Sequence, residues 1–260
     1  MQLTTTRATL RRLLHNTSGV ALLEFAITAP TVLLLGLGGV EMGNFVSANL
    51  RVSQIAMSVA DNAGRVRTTI DEADISEIML GAMKMGEPLD VASNGRIILS
   101  DLEQRTTTTG ANGKGATSSS NPDGFRQWIR WQRCAGAMKT ASSYGVPRNG
   151  SGGQVTDLDS TVNDDHGAVE AASTIDGMGP TNNQIAAVGG TAVMVVELVY
   201  TYKPLIPISL ITTVLGTPKI RRVMAFNVRQ RTAYSLRNDA ALTGTKRADC
   251  TIFSAAAPTP

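Results

Sequence analysis

Glu24 is the first residue with chemistry to offer. It stands five positions after Gly19, inside VALLEFAITAPTVLLLGLGGV (residues 20–40), where no other side chain can carry charge. A carboxylate within an apolar span costs about 2.5–3.5 kcal/mol at the centre of a membrane and less near its edge, so its presence there implies a task. One task exists if the chain is cut after Gly19. Val20 then becomes the N-terminus, and its α-amino group, with a pKa of about 8, is mostly cationic. A carboxylate four residues on can pair with that amine on the same helix or with the amine of a neighbouring subunit, offsetting the cost of holding both charges in lipid. The competing reading is an uncut signal anchor whose Glu24 lies near the headgroups.

Other reactive residues carry less. Asp157, Asp159, Asp164, Asp165, His166 and Glu170 form one acidic cluster whose oxygens would suit calcium. Their spacing lacks the calcium-loop pattern with its Gly and terminal Glu, so a solvated polar loop is expected, with no metal and no other cofactor. The chain has two histidines, His15 and His166, and a Ser-His-Asp site would need His166 as its base. No Gly-x-Ser-x-Gly elbow, His-Glu-x-x-His pair, phosphate-binding loop or dinucleotide fingerprint accompanies it. An enzyme is therefore not expected. Cys134 and Cys250 are the two cysteines. In an exported domain an even count favours one disulfide, contributing about 3–5 kcal/mol in the chain-entropy view. Two buried free thiols are the alternative.

The elements that must position these residues begin with the apolar run itself. Residues 20–40 are long enough to cross a hydrocarbon core of about 30 Å as a helix. Arg7, Arg11 and Arg12 precede it without any acid. This bias places the N-terminus in the cytoplasm and the rest of the chain outside, on a single pass. A secretory signal peptide would have a shorter apolar region followed at once by small residues. Overall the chain is 42% hydrophobic and 17% charged with a net charge of +3, nearly balanced beyond Glu41. That excludes whole-chain disorder and argues against nucleic-acid binding, which needs basic residues clustered on one folded face.

Type IV prepilins share the arrangement of basic leader, Gly and apolar helix with Glu at the fifth position of the cut chain. The longer run GVALLEFAITAPTVLLLGLGGVEMGNF, residues 19–45, resembles the TadE-like family of minor pilins and pseudopilins in Tad (Flp) pilus systems. The matching residues are Gly19, Val20 as the new N-terminus, the Glu24-Phe25 pair, Pro30 within the helix and a second acid, Glu41, at its outer end. The likeness is specific over residues 19–65 and weak beyond. It implies a leader, residues 1–19, removed by a prepilin peptidase, and a part in type IV pilus assembly beside other Tad pilus components and minor pilins. It also implies an inner-membrane site with the C-terminal domain in the periplasm, or a place in the pilus. Two other classes of function remain: a stand-alone anchored envelope-binding domain using its long loop, and an exported metal-dependent hydrolase using the acidic cluster.

Within the transmembrane helix (20–41), Pro30 lacks an N–H and predicts a kink, either a local bend or a hinge. Gly39 and Gly43 form a Gly-x-x-x-Gly pair that permits close helix packing. From 42 onward the apolar pattern turns periodic. Phe45, Val52, Val59 and Val66, with Ile55, Ala56 and Ala63, make a stripe for a stalk helix that packs on the exported domain or on a neighbouring subunit. Asp74 reads as the cap of a short amphipathic helix ending at Gly86, which closes the 42–86 segment. Residues 87–260 then favour strands over 96–102, 125–134, 192–202 and 221–230, the first after an Asn94-Gly95 turn. The third strand is apolar on the face of Ala192, Met194, Val196, Leu198, Tyr200 and Tyr202, so it should be central; the fourth should have one wet face. Flexible insertions are expected at 105–124, as an exposed loop, and at 135–191, as a disordered or variable surface excursion. Leu205 to Leu215 form an apolar patch, read as a short helix capping the core or as a loop at a membrane surface or partner. The fold class that follows is α+β: a long N-terminal transmembrane and stalk helix packed on a small antiparallel sheet, pilin-like.

Overall fold

One helix, α1 (Val20–Arg65), supplies both the bare apolar rod and one layer of the folded domain. Its 46 residues extend about 69 Å at 1.5 Å each. The computed structural model describes residues 19–66, 69–104, 127–147, 174–175, 177–180, 183–188, 190–206, 217–228 and 236–259. The basic leader before Gly19, the 105–124 insertion, the acidic cluster with His166, and the 207–216 part of the apolar patch lie outside the described residues. α1 runs unbroken through Pro30.

The chain continues through α2 (Glu72–Met85), a short α3 (Val91–Asn94) and strands β1 (Gly95–Gln104), β2 (Gln127–Ala135), β3 (Thr174–Ile175), β4 (Ala192–Thr201) and β5 (Lys219–Asn227). The sheet order is β3-β2-β1-β4-β5. Every pairing is antiparallel. This is the expected α+β plan, four long strands with a two-residue edge strand added. β4 lies between β1 and β5, as its near-continuous apolar sequence requires of a strand covered on both faces.

The C-terminal half of α1 lies on the sheet through Ala48, Val52, Ile55, Ala56, Val59, Ala60, Ala63 and Gly64, all buried. Four of these are alanine, and small side chains let the helix axis approach the pleated surface closely. Facing them are Ile97, Leu99, Trp131, Met194, Val196, Leu198, Tyr200 and Ile220. Burying each large aliphatic side chain contributes about 1.5–3 kcal/mol. Phe45 and Val66 close the two ends of the stripe.

A second cluster, Leu102, Ile129, Met178, Ala187, Val193 and Val195, occupies the other face of the sheet. Trp131 and Ile129 are two residues apart, yet they serve opposite clusters. An irregularity explains this: Ser100 pairs with Gln132 but Leu102 pairs with Ile129, so β2 holds one extra residue and its side-chain alternation reverses. The cover of this face comes from within the 135–191 stretch. Tyr144, Met178, Ile185 and Ala187 pack there, so the described parts of that expected insertion are built into the domain.

Two local expectations need correction. The cap of α2 is Asp71, whose carboxylate accepts from the Ala73 amide at 2.9 Å, while Asp74 reaches back to the Asp71 amide at 3.0 Å. Asp74 is thus the returning partner of a capping box and not the cap; an apolar-onset search starts one turn late because Glu72, in the first turn, is itself buried. Asn94-Gly95 is also no hairpin turn. Asn94 ends α3, and its side-chain amide donates to the Asp90 carboxylate at 2.7 Å. Asp90 takes the left-handed conformation at φ 51° and accepts from Ser93 at 2.7 Å. The Ser93 hydrogen bond, with Asn94 and Lys203 nearby, holds the Asp90 carboxyl below its usual range.

Candidate functional site

The residues singled out for processing sit at the very start of α1. Gly19 precedes the first helical residue, Val20, and offers no side-chain cap. Val20, Glu24 and Phe25 are all exposed. Among the described residues the Glu24 carboxylate has no hydrogen-bond or ion-pair partner; the contact at this level is Thr28, whose hydroxyl donates to the Glu24 backbone carbonyl at 2.8 Å. The apolar side chains around it, from Leu22 and Leu23 through Leu33, Leu34, Leu35 and Val40, are exposed as well. A methyl added at Gly39 or Gly43 would meet nothing within 4 Å. Among the described residues, then, the sites at Gly19, Glu24, Gly39 and Gly43 are brought together with nothing. Among the described residues this is the one helix long and apolar enough to cross a membrane, and none of its apolar window is buried in the fold.

Where the bare rod ends, the domain takes hold of it. The Glu41 carboxylate accepts from the Tyr202 hydroxyl at 2.6 Å and from the backbone amides of Leu205 and Ile206 at 3.0 and 3.1 Å. The Asn44 side chain donates to the same Tyr202 hydroxyl at 2.7 Å. Phe45 meets the Tyr202 ring edge-on, with centroids 5.1 Å apart. Burial, reinforced by the hydrogen bond to Glu41, pushes the Tyr202 hydroxyl up to about 12. Two turns further along, Arg222 of β5 donates to Asn49 at 2.7 Å and to Ser53 at 3.1 Å, a second polar stitch between helix and sheet. Sequence reasoning placed Glu41 at the end of the span but gave it no contacts. The available signal was an acid at the edge of an apolar run with Asn and Phe three and four residues on, and a tyrosine closing the most apolar strand.

The disulfide joins Cys134 of β2 to Cys250, with Cα atoms 4.6 Å apart across a separation of 116 residues. Arg96 seals the same corner. Its guanidinium donates to the carbonyls of Gly136, Cys250 and Ile252 at 2.6–2.7 Å and lies under the Phe253 ring at 4.3 Å. Desolvation lowers Arg96 to about 10. Glu72 is buried in an ion pair with Arg133, with Arg247 at 3.5 Å. Glu197, on the outer face of the sheet, accepts from the Ser142 hydroxyl and the Ser143 amide at 3.0 Å and pairs with Arg221 at 2.5 Å. Each of these groups fastens a loop or the C-terminal segment to the sheet. Among the described residues no group of three or more His, Cys, Asp or Glu side chains could hold a metal ion.

Fold and site together define a protein with a membrane-type N-terminal helix whose C-terminal half is packed into an α+β domain. Residues 19–61 match the family model described as TadE-like protein, a segment that holds Gly19, Glu24, Pro30, Glu41 and the stalk stripe as far as Val59. That family is one of pilus components, and the match ends before α2 and the sheet. No curated protein and no solved structure matches the chain.

Proposed function

We propose that this chain is a membrane-anchored minor pilin or pseudopilin that takes part in Tad (Flp) pilus assembly after a prepilin peptidase cuts it behind Gly19. The observation that carries the proposal is the bare start of α1. A helix begins at Val20, immediately after the glycine, and its first half exposes its apolar side chains around a Glu24 carboxylate that has no partner among the described residues, all within the segment that matches the TadE-like model. A free amine at Val20 would supply the missing charge for Glu24, either in the same chain or across to a neighbouring helix in the membrane or fibre. The shared pairing would set the axial register between helices, because a slip along the rod separates the charges in a low-dielectric surrounding.

In this reading the N-terminus lies in the cytoplasm, which the basic leader favours, and the sheet domain in the periplasm, with the inner membrane, the peptidase, and other Tad components and minor pilins as partners. The chain acts by assembly and not by catalysis in this reading. Glu24→Ala tests it: the domain keeps its folding transition, while the amount of pilin recovered by shearing cells and quantified by mass spectrometry falls. Unchanged pilus output with Glu24→Ala removes the register role.

A further inference from the structure

We propose that the loop leaving β4, residues 203–206, is a second membrane contact, with Leu205 and Ile206 seated in the lipid interface beside the point where α1 emerges. This rests on the reading that residues 20–40 span a membrane. At 1.5 Å per residue those positions fill about 30 Å of hydrocarbon, which puts Glu41 at the first level beyond it. Glu41 fixes the loop at that level, because one carboxylate oxygen accepts from both the Leu205 and the Ile206 amide, at 3.0 and 3.1 Å. The loop backbone therefore lies within hydrogen-bonding distance of an interfacial side chain.

The side chains suit that depth. Leu205 is 64% exposed and Ile206 half-buried, although neither needs to face water if lipid lies beneath them. On the helix, one residue after Glu41, Met42 is 65% exposed and extends the apolar surface of the rod to the loop's level. Tyr202 and Phe45 meet edge to face at the same height, and tyrosine is enriched at membrane–water boundaries. The backbone amides of Leu205 and Ile206, which would be costly to bring near hydrocarbon unpaired, are both satisfied by Glu41. Lys203, the charged residue of the loop, is exposed and turned to Asp90 at 3.5 Å. Lipid is the occupant favoured over a protein partner because the patch is continuous with a rod already suited to lipid and is fixed at its exit.

The test uses the full-length protein in nanodiscs of phosphatidylethanolamine and phosphatidylglycerol, spin-labelled at one introduced cysteine: Leu34→Cys in mid-rod, Leu205→Cys in the loop, or Val188→Cys. Val188 is 73% exposed and close in sequence to the far end of β4, whose Val193 pairs with Asn227 opposite Gly64 of α1. Collision of each label with oxygen and with a water-soluble nickel chelate reads its depth. The expected result is lipid-like behaviour at Leu34 and Leu205 and water-like behaviour at Val188. A Leu205 label open to nickel, or shielded from both reagents as under a protein partner, overturns this inference while a lipid-like Leu34 leaves the anchor intact. A water-like Leu34 label overturns the spanning reading itself. Adding Glu41→Ala should move the Leu205 label toward the Val188 value; no movement would mean that Glu41 does not hold the loop in place.

Discussion

The two halves of α1 are one continuous helix with opposite fates. From Val20 to Val40 the apolar side chains point outward all round and are not buried by any other described part of the chain; from Ala48 to Gly64 one stripe is fully buried against the sheet. Hydrophobicity alone does not separate them, because both halves are rich in apolar residues. What separates them is periodicity and side-chain size: continuous Leu, Val and Ile suit lipid on every side, whereas small and branched residues recurring on one face suit a packed layer. Glu41 marks the boundary, and its partners come from the domain.

The sharpest way to break this comparison is to place the same charge in each half. Val52→Asp buries an unpaired carboxylate in the core and should cost about 4 kcal/mol or more, abolishing the thermal transition of the domain by circular dichroism. Leu35→Asp should leave that transition in place and instead lower recovery in the membrane fraction, since the insertion penalty is about 2.5–3.5 kcal/mol. Equal loss of folding in both variants would mean that the rod is packed on the domain after all.

Next in size, the double variant Cys134→Ser, Cys250→Ser should lose about 2–5 kcal/mol in chemical denaturation, because the bond closes a long loop and tethers the C-terminal segment. The rod half should keep its helicity. Glycine gives a finer contrast. A methyl at Gly64 would come within 2.7 Å of the Phe226 ring, so Gly64→Ala should cost about 1 kcal/mol after its gain in helix propensity. Gly39→Ala, with open space around it, should leave the domain's midpoint unmoved.

Much of this contrast was legible beforehand. Continuous and periodic apolar runs are different signals, and the stripe Phe45, Val52, Ile55, Ala56, Val59, Ala63 and Val66 is the one that packs. The apolar face of β4 could be read because alternation survives in a strand. The bulge in β2 could not, since an extra residue changes which face Trp131 serves without leaving a composition signature. Nor could the packing of Met178 and Ala187: isolated apolar residues in a Gly- and Pro-rich stretch gain meaning only once the second face of the sheet exists to receive them. The Glu41 contacts join residues more than a hundred and sixty positions apart, so the acid at the edge of the apolar run marks the junction locally but does not name its partners.

The smallest expected effect is a titration at that junction. Because burial and Glu41 raise the Tyr202 hydroxyl, its proton is bound more tightly in the folded state than in the unfolded one. Its contribution to stability is complete below an ordinary tyrosine pKa of about 10 and falls away as pH rises toward about 12. Tyrosinate absorbance should therefore show a late-ionising group near pH 12 that disappears in Tyr202→Phe.

The most direct test of the central claim is the N-terminal sequence and intact mass of the protein extracted from membranes of cells that contain a prepilin peptidase. A chain beginning at Val20, with Glu24 as its fifth residue, is the predicted result. A chain that still begins at Met1 under those conditions contradicts the processing on which the assembly role of Glu24 depends.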